Sequence, residues 1–120
     1  MGLDMYAWAV PATDDLPDTD FERPDGTDEF HYWRKHPNLH GWMEQLYSKK
    51  GGVREFNCTS VRLTLDDLGR LEGELGSLPE THGFFFGVSY GDEVDDDRRF
   101  IAQAREVISL GHAVYYSAWW

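Results

Sequence analysis

The sequence predicts a single α+β domain, in which a sheet of about four mostly antiparallel or mixed strands is packed by about three helices. The 120 residues suffice for one core, and 41% are hydrophobic and 15% aromatic, which is too apolar for a disordered chain. Segments with strand and helix periodicity alternate, and no repeat or linker divides them. We therefore expect one domain over residues 1–120, with an acidic loop at residues 14–29.

The first part of the chain predicts a strand followed by a long loop. The stretch "MGLDMYAWAV" alternates loosely between apolar and small or polar residues and stops at Pro11, which is typical of an opening strand. The next stretch, "PATDDLPDTDFERPDGTDE", carries eight acidic residues and three prolines and has no regular period. A loop of this length is either mobile and solvated or functional, and its acids could bind a cation or a basic partner.

The middle of the chain predicts a helix, a strand and a second helix. Apolar residues recur with helical spacing from Leu39 onwards, and "KKGG" supplies a basic end followed by glycines. Pro37 suits the first turn of this helix, so residues 30–35 are either a separate turn or a kinked extension of it. Residues 54–64, "REFNCTSVRLT", have the composition of a strand, and a short helix is expected to begin near Thr64.

The last third predicts a strand, a helix and a closing strand. "GFFFGVSYG", residues 83–91, is apolar, aromatic and bracketed by glycine, which indicates a buried strand. "DEVDDDRRFIAQAREVISLG" places apolar residues on one helical face, with acids at its amino end and Gly111 just beyond its carboxyl end. "HAVYYSAWW" is rich in strand-forming residues. The pairing order of the strands stays open at this point.

The charge of the chain restricts the partners that we expect. With 22 acidic and 11 basic side chains the formal net charge is -11, so we expect no direct binding of nucleic acid and no membrane association, but a protein partner with a basic surface. No secretory leader, membrane-spanning run or disulfide pair is recognisable, which favours the cytoplasm. The candidate partner-binding residues are Asp14, Asp15, Asp18 and Asp20 in the loop and Asp95, Asp96 and Asp97 near the last helix.

The densest group of reactive side chains is found in "HYWRKHPNLHGWMEQLY". His36 and His40 are four residues apart, which places two imidazoles on one side of a helix and supplies half of a zinc site. The glutamate of an HExxH motif is missing, so further ligands would have to come from the acidic loop or from Cys58. In the alternative interpretation, which we favour, one histidine caps or hydrogen-bonds a backbone carbonyl beside the core while Trp33 and Trp42 are buried against the sheet.

No catalytic residue and no cofactor are predicted. Cys58 lies in a predicted strand, where a lone buried cysteine is more often a small hydrophobic residue than a nucleophile. "GFFFGVSYG" lacks the spacing of nucleotide-binding glycine loops. The carboxylates of "GDEVDDDRR" lack EF-hand spacing and are typical of a helix amino terminus. The sequence therefore favours a protein that is not an enzyme.

Three stretches, "MGLDMYAW", "YWRKHPNLHGWM" and "FFFGVSYGD…VYYSAWW", carry a recognisable combination of motifs. Together they resemble a family of small uncharacterised bacteriophage and prophage proteins, which begin MGLDMY, carry a W-R-K-x-x-N-x-H-x-W helix and end in a Tyr-Tyr, Ser, Trp strand. The resemblance spans most of the chain and implies a location in the bacterial host cytosol, but no particular activity. Pro37 and the acidic segment depart from the family pattern. The candidate functional cluster that the resemblance implies is Trp33, Arg34, Lys35, Asn38, His40 and Trp42.

These observations lead to one favoured hypothesis and two alternatives. We expect a phage- or prophage-type accessory protein that binds a host or phage protein, in its most specific form an anti-CRISPR-like acidic inhibitor of a host defence or nucleic-acid-handling complex. The first alternative is a small metal-dependent hydrolase or nucleotide-acting enzyme that uses His36 and His40. The second is a structural or oligomerising module, in which "YYSAWW" is an exposed edge strand that pairs with its copy in a homodimer.

Overall fold

Four strands and three helices make up the regular structure of residues 2–79, 81 and 93–120, which are the residues that this computed structural model describes. Their composition confirms the predicted α+β class. The predicted strand at residues 83–91 lies outside the described residues. The strands are β1 (Asp4–Pro11), β2 (Glu29–Arg34), β3 (Ser60–Leu63) and β4 (His112–Trp119), and the helices are α1 (Pro37–Lys49), α2 (Leu65–Glu74), which continues into a 3-10 turn at Leu75–Ser77, and α3 (Val94–Ser109).

The four strands form one antiparallel sheet in the order β2-β1-β4-β3. β4 lies inside this sheet, because Tyr116 is opposite Ala7 of β1 on one side and opposite Val61 of β3 on the other. The prediction that "YYSAWW" is an exposed edge is therefore wrong. A homodimer cannot form by edge pairing of a strand whose backbone groups are already bonded on both sides.

The helices cover one face of the sheet, which is called the inner face from here on. Side chains alternate between the two faces of a strand, so Met5, Ala7 and Tyr116 point inward together. The helices present apolar side chains three and four residues apart to this face, and each large side chain that is fully buried contributes about 1.5–3 kcal/mol. The helical residues in this core are Leu39, Trp42, Met43, Leu46, Tyr47, Leu68, Leu71, Phe100, Ile101 and Ala104.

The helices begin where the sequence predicts. Pro37 is the first residue of α1, where its missing N–H would have had no partner within the helix. At the start of α2, the Thr64 hydroxyl accepts a hydrogen bond from the Asp67 backbone N–H, and the Asp67 carboxylate accepts one from the Thr64 backbone N–H. Three aspartates lie in the first turn of α3, where the helix dipole favours negative charge.

β2 corrects the prediction for residues 30–35, which are neither a separate turn nor an extension of α1. Trp33 and Tyr32 pair with successive residues of β1, and the Trp33 side chain is buried while the Tyr32 side chain on the other face is exposed. Lys35 then adopts a left-handed backbone conformation with a φ of 56°, which turns the chain from β2 into α1. The strand is short and lies directly before a helix, so its two-residue period is weak in the sequence.

β3 is shorter than the strand predicted at residues 54–64. Irregular backbone precedes it, and Cys58 has a left-handed φ of 60°, which interrupts an extended chain. The Cys58 side chain is exposed, so its interpretation as a buried hydrophobic residue is wrong.

The acidic segment covers the opposite face of the sheet, which is called the outer face. Residues 12–28 form a loop between β1 and β2, so the predicted loop is confirmed except for Glu29, which begins β2. Leu16 and Phe21 of this loop pack against Trp8 and Tyr115, and the latter pair is fully buried. The loop thus supplies the apolar cover that a second layer of helices would supply elsewhere.

Candidate functional site

The stretch "HYWRKHPNLHGWMEQLY" contributes to both β2 and α1, so its side chains have different surroundings. The high density of aromatic and imidazole side chains in this stretch is explained mainly by their contacts within the fold. The candidate functional cluster is divided between the core and the surface: Trp33, His40 and Trp42 are buried, Asn38 is half-buried, and Arg34 and Lys35 are exposed.

Asp97 is a buried carboxylate that joins β2 and the start of α1 to α3. Its two oxygens accept hydrogen bonds from Trp33 Nε1 at 3.0 Å and from His36 Nε2 at 2.9 Å, and only 1% of the residue is exposed. A buried carboxylate is tolerated when its oxygens are hydrogen-bonded, and the first turn of a helix stabilises it further. His36 and Asp97 also border a cavity of about 150 Å³ beside Leu78. The arrangement fixes the positions of three elements relative to one another.

His40 is a neutral histidine in an aromatic part of the core. Its Nδ1 is joined to the Tyr116 hydroxyl by a hydrogen bond of 2.8 Å, and its ring stacks on Phe56 with centroids 5.1 Å apart. Burial lowers the pKa of His40 from 6.5 to about 4, and burial raises the pKa of Tyr116 well above 10. Both groups therefore stay uncharged near neutral pH.

His36 and His40 do not face a common point, since one contacts Asp97 and the other contacts Tyr116. Within residues 2–79, 81 and 93–120, no three His, Cys, Asp or Glu side chains are arranged so that they could hold a metal ion. The geometry of the described residues therefore lends no support to a metal site at these two histidines.

The predicted partner-binding aspartates have different surroundings. The side chain of Asp95 is 87% exposed, whereas Asp96 is bound to His31 Nε2 at 3.0 Å and Asp97 is buried. α3 belongs to the layer on the inner face and the loop to the outer face, so the two groups of acids lie in different layers. The members that are exposed to solvent are Asp14, Asp15, Asp18 and Asp95.

Asp20 anchors the loop and is not part of its free surface. Its carboxylate accepts hydrogen bonds from the Tyr47 hydroxyl at 2.7 Å and from the Thr59 hydroxyl. Burial raises the pKa of Asp20, but the hydrogen bonds to its carboxylate and the positive charge of Arg54 outweigh that effect, so the pKa lies below its ordinary value. Asp20 therefore ties the loop both to α1 and to the segment before β3.

The backbone of the loop is also bonded to the sheet. The Arg62 N–H donates to the Asp18 carbonyl at 2.8 Å, and the Asp20 N–H donates to the Ser60 carbonyl at 2.9 Å, along the edge of β3 that faces away from β4. The Tyr115 hydroxyl donates to the Pro17 carbonyl at 2.6 Å. Of the two alternatives for the loop, mobile and solvated or functional, these bonds argue against a freely solvated segment. They hold its exposed acids on a fixed scaffold.

The end of the outer face that the acidic loop does not cover carries an aromatic patch, defined here as Tyr6, Tyr32 and Trp119 around the Asp4 carboxylate. Tyr32 is 46% exposed and Trp119 64% exposed, and the Tyr6 and Tyr32 ring centroids are 5.4 Å apart. The Tyr32 hydroxyl donates to Asp4, and this bond, together with partial burial, raises the pKa of Tyr32 to about 12. A cleft of about 300 Å³ runs from this patch under the loop and is lined by Tyr6, Trp8, Phe21, Glu22, Arg23, Cys58, Thr59, Ser60, Ser117, Ala118 and Trp119.

This patch was missed at the sequence level because its members come from three strands. Tyr6, Tyr32 and Trp119 are far apart in the chain, and the strands of Tyr32 and Trp119 also carry aromatic residues on the inner face, Trp33 and Tyr116. The position of Tyr6 directly after the apolar Met5 could have indicated that Tyr6 points away from the core, since successive residues of a strand point to opposite faces. The pairing order of the strands was needed to find the rest.

No protein-family model, curated protein or solved structure matches this chain. Among the helices that the structure describes, none is long and apolar enough to cross a membrane. The function therefore has to be inferred from the surfaces of the domain.

Proposed function

We propose that the protein is a phage- or prophage-type accessory protein that acts without a cofactor, by binding a host or phage protein through the acidic loop. The observation that carries this proposal is the anchoring of the loop: Asp20, the Tyr115 hydroxyl and the β3 edge hold it in place. Its exposed acids therefore have fixed positions before any partner arrives, which reduces the entropy lost on binding.

The charge of the protein specifies the class of partner. The exposed loop side chains include Asp14, Asp15 and Asp18, and the chain as a whole has a net charge of -11. Such a surface attracts a basic protein over about a Debye length and accelerates association more than it slows dissociation. Proteins that handle nucleic acid carry basic grooves, so we propose a host defence or nucleic-acid-handling complex in the bacterial cytosol as the target, with the protein occupying such a groove.

The test uses two variants with the same net charge. Asp14→Asn, Asp15→Asn and Asp18→Asn together neutralise three of the exposed loop acids. The control variant neutralises three exposed acids outside the loop, Glu44→Gln, Glu55→Gln and Glu106→Gln. The immobilised proteins are exposed to bacterial lysate, and each captured protein is then purified and its association rate with every variant is measured at low and high salt.

We expect a basic partner whose association rate with the loop variant falls on the order of ten-fold, whereas the control variant keeps most of the rate. The difference between wild-type protein and loop variant should shrink as salt increases. A competing DNA duplex should displace the protein if it occupies a nucleic-acid groove. Equal association rates for the two variants would contradict the proposed role of the loop.

A further inference from the structure

The aromatic patch has the composition of a site for a cationic side chain. Asp4 lies directly opposite Trp119 on β4 and opposite Arg34 on β2, and Tyr6 lies opposite Tyr32. Directly opposite residues on one face of a sheet have Cβ atoms about 4.5–5.5 Å apart. Three aromatic rings are therefore grouped around one carboxylate that is 32% exposed.

The electrostatics of the patch favour a cation over an anion. The faces of aromatic rings carry negative potential and attract ammonium and guanidinium groups, and the Asp4 carboxylate adds a full negative charge. The Arg34 guanidinium of the chain itself already lies near this carboxylate, with Nε 3.9 Å from Asp4 Oδ1. That contact is long and the Arg34 side chain is 60% exposed, so it contributes little and can be replaced.

The cleft beside the patch provides space for the residues that flank such a side chain. It opens between Tyr6 and Trp119 and continues to Phe21 under the loop, with the exposed Glu22 among its lining residues. Its volume of about 300 Å³ is at the small end of the range for ligand pockets, so it suits part of a peptide rather than a large ligand.

We propose that the aromatic patch binds an arginine side chain of a basic protein partner, an inference that rests on the proposed function. Arginine suits the site better than lysine, because its planar guanidinium stacks on aromatic rings and also forms paired hydrogen bonds with a carboxylate. Aromatic rings on a sheet can also stack on the bases of single-stranded nucleic acid. The Asp4 carboxylate and the net charge of -11 oppose that occupant.

The test is a titration of the whole protein with a blocked oligo-arginine peptide, followed by the fluorescence of the exposed Trp119 and by calorimetry. Trp119→Ala and Tyr32→Ala each remove one exposed ring, and both should weaken binding about two- to five-fold. Binding to Trp119→Ala is measured by calorimetry alone, because this variant lacks the fluorescent reporter. Leu110→Ala is the matched control, because Leu110 is a 69% exposed apolar residue outside the patch, and it should leave binding unchanged. Oligo-lysine of equal length should bind less tightly than oligo-arginine.

A further variant tests whether removing the chain's own guanidinium from Asp4 strengthens peptide binding. Arg34→Ala removes the internal guanidinium from Asp4 and should tighten binding of the peptide about two-fold. Arg98→Ala, on the exposed surface of α3, makes the same change in net charge away from the patch and should tighten binding less. If the patch bound single-stranded nucleic acid instead, the protein would prefer an oligonucleotide to the peptide, and Arg34→Ala would weaken binding of the oligonucleotide. Either result would overturn the inference.

The same titration with the loop variant of Asp14, Asp15 and Asp18 separates the two proposals. If the loop variant and the patch variants all bind the peptide more weakly, the result supports both the proposed role of the loop and the arginine site. Weaker binding by the loop variant alone would overturn the arginine site and leave the proposed function standing. Weaker binding by the patch variants alone would support the arginine site while contradicting the role of the loop. Equal binding by all variants would overturn the arginine site as well.

Discussion

The two faces of the sheet are covered by different kinds of structure. On the inner face, helices bury Met5, Tyr116 and Phe100 completely. On the outer face, a loop buries Trp8 and Tyr115 but leaves the far end of the same strands open. A helix repeats its apolar side chains every three or four residues and can cover a whole row of strands, whereas this loop offers mainly Leu16 and Phe21.

The inner face is built mainly for stability, and the outer face is suited to contact with another protein. The inner face contains the large apolar core, and its polar groups, such as His40 and Asp97, are hydrogen-bonded inside the domain. The outer face combines exposed rings with exposed carboxylates, which is a composition suited to contact with another protein. We therefore expect substitutions on the two faces to differ in kind, those on the inner face affecting mainly stability.

The largest contrast is expected between two phenylalanines. Phe100→Ala on the inner face should lower the free energy of unfolding by about 3–5 kcal/mol, because it leaves a cavity in a fully buried core. Phe21→Ala in the loop should lower it by about 1 kcal/mol, because Phe21 is only partly buried. Urea denaturation followed by circular dichroism measures both values. Equal losses would mean that the loop is as much a part of the core as α3.

The next effect is a dependence of stability on pH that originates on the inner face. The pKa of His40 is about 4 in the folded protein and 6.5 when exposed, so between these values the unfolded chain binds the additional proton. Stability from this group is fully present above pH 6.5. It decreases by up to about 3 kcal/mol as the pH falls towards 4. The free energy of unfolding measured across this range reports the slope.

The variant His40→Gln removes the titrating group, so its stability should change less between these pH values, whatever its stability at neutral pH. A slope that is the same in His40→Gln and wild-type protein would contradict the buried, neutral state of His40.

The smallest effect concerns the attachment of the loop to the outer face. Asp20→Ala removes the acceptor of the Tyr47 and Thr59 hydroxyls and should lower the free energy of unfolding by about 1–2 kcal/mol. Asp20→Asn keeps one carbonyl oxygen and suits the left-handed φ of 61°, so its loss should be smaller. The exposed Asp25→Ala is the control, and limited proteolysis within residues 12–28 should increase only in the Asp20 variants.

The features that sequence alone could predict are those set by neighbours in the chain. The helical spacing from Leu39, the start of a helix near Thr64 and the aspartates that begin α3 all depend on residues a few positions apart, and each is found as expected. The acidic loop between two apolar segments belongs to the same class. Such signals require no knowledge of the tertiary structure.

The features that could not be predicted depend on residues distant in the chain. Asp97 has the sequence environment of any helix amino terminus, and only its contacts with Trp33 and His36 make it a buried acceptor. Asp20 is one of many loop acids until Tyr47 is placed beside it. The interior position of β4 likewise follows from pairing with β1 and β3, which local composition does not reveal.

The interior position of β4 also bears on how the protein is made. The ribosome synthesises β1, β2 and β3 before residues 112–119, which fill the space between β1 and β3. Until that segment leaves the exit tunnel, the nascent chain holds two strands with unpaired edges and an inner face that lacks Tyr116. The sheet is therefore completed only once residues 112–119 have left the tunnel, and the interval before that is when the chain depends most on protection from aggregation.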